Sequence, residues 1–107
     1  MSIEDDVRLR LSLQRALLTH VTPELRSVSG DIDPERRFIT LRFVFARQPS
    51  DSELAAASIA ATEAIADYSD DWSLNEEYIV VPVPDRMSDL RLVVYCRCED
   101  EWVSPTM

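Results

Sequence analysis

Two cysteines (Cys96 and Cys98), one histidine (His20) and two acidic doublets (Asp70-Asp71 and Glu76-Glu77) are the residues here with the means to do chemistry. A Cys–His nucleophile needs a neighbouring base and an oxyanion-stabilising turn, and no such motif accompanies either cysteine. Cys96 and Cys98 are two apart, so on a strand they share a face and do not readily close a disulfide. They read as reduced thiols at a strand end. His20 closes a helical pattern, where an imidazole complements the helix dipole. The doublets lack the calcium-loop spacing and its central glycine. A single glycine, Gly30, leaves no phosphate-cradling loop. A glycosidase pair of carboxylates needs a sugar cleft, for which 107 residues are few. The expectation is a non-catalytic protein with no metal and no cofactor.

The same acids suggest binding. Asp67, Asp70, Asp71, Glu76 and Glu77 interleave with Tyr68, Trp72 and Tyr78, and no basic residue lies within the stretch. Aromatic rings anchor interfaces, and surrounding acids steer a basic partner. These eight residues are the candidate partner-binding set. The blander reading is a solvated connection whose rings fasten it to the core.

Charge distribution points the same way. Net charge is −9, from 20 acids and 11 bases, all arginine. Residues 1–50 hold seven acids and eight arginines, whereas residues 51–107 hold thirteen acids and three arginines. Phosphate backbones and anionic membranes need basic footprints, so neither is expected as a partner; a basic protein is. A second acidic group, Asp85, Asp89, Glu99, Asp100 and Glu101, lies further along. The N-terminus carries acids where a signal peptide needs positive charge, which makes the cytoplasm the expected location.

Six elements must position these residues. Residues 3–20 predict an amphipathic helix, with Ser2 as its cap and Ile3, Val7, Leu11 and Leu18 as its buried stripe, widened by Leu13 and Leu17. Residues 24–32 predict a strand with Arg26, Val28, Gly30 and Ile32 on one face. Asp33-Pro34-Glu35-Arg36 fits a type I turn into a strand over 37–46. Ser50 and Glu53 have capping-box spacing for a helix reaching about Asp67, with Leu54, Ala57, Ala61, Ile65 and Tyr68 buried. Strands follow over 76–83 and 89–98, and the acidic end, 98–107, reads as a flexible tail.

The sequence therefore predicts one α+β domain over residues 1–107. Its order is helix-strand-strand-helix-strand-strand, with a mainly antiparallel four-stranded sheet and two helices on one face. The other face would carry Phe38, Thr40, Arg42, Val44, Arg91, Val93, Tyr95 and Arg97. In this plan, with LRFVF and EEYIVVPVP strands flanking a helix, the chain resembles the immunity proteins of bacterial polymorphic toxins, including contact-dependent inhibition and colicin-type systems. The resemblance implies tight binding to a cognate toxin domain, often a nuclease, whose basic surface an acidic inhibitor would cover. The alternative is a homodimeric structural or adaptor module that pairs through Val44, Val93 and Tyr95 on the open sheet face.

Overall fold

A computed structural model describes residues 3–99. The elements are α1 (Ile3–Leu17), β1 (Leu25–Asp33), β2 (Phe38–Phe45), α2 (Asp51–Ile65), β3 (Ser73–Val80) and β4 (Leu92–Cys96), in the predicted order. The Ser2 cap and residues 100–107 lie outside the described residues. The sheet order is β3-β2-β1-β4. β1 pairs antiparallel with β2 and with β4, while β2 and β3 are parallel. The sheet is thus mixed. α2 spans the connection between β2 and β3, and a crossover of that length returns the chain in the same direction.

Local chemistry explains the elements. Ser50 caps α2: its hydroxyl accepts from the Glu53 amide, and the Glu53 carboxylate accepts from the Ser50 amide at 2.8 Å. The hairpin turn sits one residue later than predicted. The Arg37 amide donates to the Pro34 carbonyl, the Asp33 carboxylate accepts from the Arg36 amide, and Arg37 takes a positive φ of 53°.

The core lies between the helices and one sheet face. Leu9 and Leu13 of α1 meet Val28, Ile32, Ile39, Leu41 and Phe43 there, with Ala57, Ala60, Ala61 and Ala64 of α2. Alanines on α2 let its backbone come close to that of α1. Gly30 serves the same end on β1. A Cβ there would sit 3.1 Å from the end of Leu41 and 3.3 Å from that of Leu9, both fully buried. Gly30→Val is therefore expected to lower stability by about 1–3 kcal/mol through overpacking, read as a lower midpoint in urea.

Three expectations about faces are corrected. The buried stripe of α1 is Leu9, Leu13, Ala16 and Leu17, whereas Ile3, Val7, Leu11 and Leu18 are exposed. Arg26 does not share a face with Val28, because a bulge between Leu25 and Ser27 turns it to the opposite side. The second sheet face is not open. Since β3 and β4 lie at opposite edges, residues 81–91 must cross β2 and β1, and they do so over that face. Arg26 donates to the carbonyls of Val81 and Asp85, Ser27 to Asp89, and Arg42 to Ser88, while Ser29 accepts from the Leu90 amide. Val44 is fully buried beneath this strap. A second bulge, between Val28 and Ser29 against β4, places Tyr95 opposite Val28 on the helix side. The surface proposed for a homodimer through Val44, Val93 and Tyr95 does not exist as one face.

The C-terminal end of the described chain is anchored as well. Glu99, read from sequence as part of a flexible tail, is buried against Arg26 in a two-pronged ion pair with both N–O distances 2.7 Å.

Candidate functional site

The α2–β3 connection and β3 carry the eight candidate residues, in different roles and on both faces of the sheet: Tyr78 meets the core and Glu77 the strap side. Tyr68 is buried. Its ring lies 4.9 Å from that of Trp72, and the Arg8 guanidinium sits 4.3 Å from its centroid. Its hydroxyl has no hydrogen-bond partner among the described residues, and burial pushes its pKa up. Tyr78 stacks on Phe43 at 5.4 Å and donates to Glu76; burial, then that bond, raises its pKa strongly. The blander reading thus accounts for Tyr68 and Tyr78, which fasten the connection to the core. Trp72 is half-buried against it.

The acids are not left unrelieved. Asp67 pairs with Arg15, and its carbonyl accepts from Arg8 at 2.7 Å. Asp71 pairs with Arg37 and accepts from Ser69 at 2.5 Å. Glu77 pairs with Arg42 at 2.8 Å. Among the described residues only Asp70 and Glu76 of the five lack an arginine. The arginines come from α1, the hairpin turn and β2, so the local sequence could not show them.

A second concentration of negative charge lies at the hairpin end of the sheet, where Asp31 pairs with Arg91 and Asp33 with Arg36. A cleft of about 780 Å³ is lined by Asp5, Asp31, Asp33 and Glu35, with Ile32, Pro34 and Thr40. Arg91 braces its wall, donating to Asp31 at 3.0 Å and to both oxygens of Asp6 at 2.9 Å. Those bonds hold the Asp6 carboxyl below its usual range. The Asp71–Arg37 pair and the Arg37 carbonyl, which accepts from the Ser73 amide at 2.8 Å, tie the turn to the α2–β3 connection. Asp70 therefore belongs to the same end of the molecule. Sequence reasoning missed this cleft, because its acids are dispersed over residues 5–35. The Asp-x-Asp-x-Glu alternation of residues 31–35 was the available signal.

The remaining chemistry-capable residues stand apart from this cleft. His20 Nδ1 is 2.9 Å from the Ala16 carbonyl and 3.9 Å from Glu63. Cys96 and Cys98 are exposed free thiols, and burial, followed by Asp89 and Glu99, pushes the Cys96 thiol up, away from a reactive thiolate. Among the described residues no three His, Cys, Asp or Glu side chains are placed to hold a metal ion.

With this geometry in view, comparison with known proteins is informative. Residues 6–99 match the family of the MafI2 immunity protein, and the chain belongs to that family. None of the curated proteins matches it. The matched span runs from the first turn of α1 to Glu99, so it takes in the cleft apart from Asp5, the strap and the Arg26–Glu99 pair.

Proposed function

We propose that this chain, as a member of an immunity family, protects a bacterial cell by binding a cognate toxin domain, that the domain is a nuclease, and that protection involves no catalysis. The family match over residues 6–99 is the observation that carries the reading. Electrostatics support the choice of target class. An enzyme that acts on nucleic acid presents cationic side chains to phosphates, and the acid-lined cleft at the hairpin end has the opposite sign. Asp70 extends that surface, with Trp72 as its half-buried aromatic. Binding there would cover the substrate groove of the toxin. Such a protein works where the toxin's substrate is, in the cytoplasm. In keeping with this, no helix among the described residues is long and apolar enough to cross a membrane.

Co-expression tests the reading. A toxin domain encoded beside this chain should arrest growth when produced alone, and growth should return when the chain is produced with it. Arrest that persists despite ample folded chain would exclude an immunity role toward that toxin.

A further inference from the structure

α1 carries a second apolar stripe that the core does not use. At 100° per residue, Ile3, Val7, Leu11 and Gln14 of α1 fall inside a sector of about 80°, and Leu18, the first residue beyond the helix, continues the row. The row lies on the side away from Leu9, Leu13 and Ala16, and Ile3, Val7, Leu11 and Leu18 are 81%, 46%, 57% and 80% exposed, respectively. Two flanking arginines are drawn off this seam: Arg8 reaches across to the Asp67 carbonyl, and Arg10 donates to the Val93 carbonyl of β4 at 2.8 Å. Arg15 pairs with Asp67 through one Nη only, and its side chain stays 65% exposed beside the seam. What remains is a bare strip about 22 Å long, continued by Val21 and a groove of about 290 Å³ beside Tyr95. A helix that is apolar on opposite sides is patterned for burial on both.

We propose that a second copy of this chain covers the seam, the two α1 helices lying antiparallel about a two-fold axis near Leu11. Charge selects this occupant. The first turn of α1 holds the acids Glu4, Asp5 and Asp6, and its last turn holds Arg15. Glu4 and Arg15 flank the seam on the same side, and a two-fold axis brings that side against itself. With a rise of 1.5 Å per residue, Glu4 of each copy falls within about 4 Å, along the helix, of Arg15 of the other. Ile3 then faces Leu18, Val7 faces Gln14, and Leu11 faces its own copy. Opposed helix dipoles add to the match. A basic partner finds no such complement, since Arg8, Arg10 and Arg15 border the strip. The inference is independent of the immunity reading.

Sedimentation velocity on the full chain, from micromolar to near-millimolar concentration, tests it. A reversible dimer is expected. Leu11→Glu and Leu18→Glu should each weaken it by about tenfold or more while leaving the thermal melt unchanged, because both positions are exposed. Glu4→Arg should weaken it as well, by setting an arginine against Arg15 of the other copy. A chain that stays monomeric throughout, or a dimer indifferent to both leucine substitutions, would overturn the proposal. A monomer whose Leu11→Glu variant loses toxin binding would overturn it too, and would give the seam to the toxin.

Discussion

Arg26→Leu is expected to cost about 3–5 kcal/mol, the penalty for stranding one member of a buried ion pair, and to lower the melting temperature by on the order of 10–20 °C. Arg26 is 2% exposed and Glu99 6% exposed. The guanidinium spends two bonds on Glu99 and two on the strap carbonyls of Val81 and Asp85, at 2.7 and 3.0 Å. Arg97 adds a 3.1 Å bond to Glu99 and a 2.6 Å bond to the Pro23 carbonyl. One side chain therefore joins β1, the strap and the chain beyond β4. Its loss leaves the buried Glu99 carboxylate with Arg97 as its remaining donor and removes the donor of the strap carbonyls of Val81 and Asp85. The pair also sets an acid limit. Hydrogen bonds from Arg26, then its charge, outweigh burial and hold the Glu99 carboxyl down to about 2 from 4.5. A carboxyl depressed by folding contributes stability that is complete above its unfolded pKa and is lost as pH falls. About 3 kcal/mol should therefore disappear between about pH 4.5 and about pH 2. Glu99→Gln should be less stable at neutral pH and lack that slope, as urea melts at stepped pH would read. A wild-type protein with flat stability through this window would remove the pair from the account.

Reversing Glu35 and Asp70 to arginine should slow association with the toxin domain by roughly tenfold to a hundredfold at low salt, leaving the fold intact. Both are exposed, and neither has an arginine partner among the described residues. The pair is chosen over Asp67, Asp71 and Glu77 because those three already spend their charge on Arg15, Arg37 and Arg42. Reversing any of them would damage a tertiary contact and confuse steering with stability. Raising the salt should bring wild-type and variant rates together as the field is screened. Stopped-flow rates that are equal at low salt would show that negative charge at this end plays no part in encounter.

Much of the fold was legible because its signals are local. The Ser50–Glu53 capping box, the alternation of Ile39, Leu41, Phe43 and Phe45, and the Asp33-Pro34 turn each act within a few residues; the helix and strand form where those signals stand, and the turn forms one residue later. The α1 face was not legible, because the helix has two apolar stripes and periodicity cannot rank them. The fit of Leu9 onto Gly30 of β1, which leaves no room for a side chain there, decides it. β3 reads equally well as the start of a hairpin with β4. Only the sheet order shows that it runs parallel to β2 and that the following segment must cross the back of the sheet. Ser27 and Ser29, small hydroxyls two apart on a central strand, were the trace of that strap, since they are the side chains that bond it.

The candidate site divides in the same way. Acids at Asp67–Glu77 stood out because they adjoin in sequence, yet three are neutralised by arginines distant in the chain. The acids of the cleft did not stand out, because folding gathers Asp5 with Asp31, Asp33 and Glu35. The balanced half of the chain thus supplies a second acidic surface, in which Asp31 and Asp33 also have arginine partners and Glu35 has none among the described residues.

In the proposed function this chain binds a toxin and silences it. Titrating the purified chain into the toxin domain encoded beside it, with toxin activity and complex formation followed together, tests that most directly. The account predicts a stoichiometric complex with a Kd on the order of nanomolar or tighter, and toxin activity that falls in step with its formation. No complex at micromolar concentrations, or a complex that leaves the toxin fully active, would contradict it.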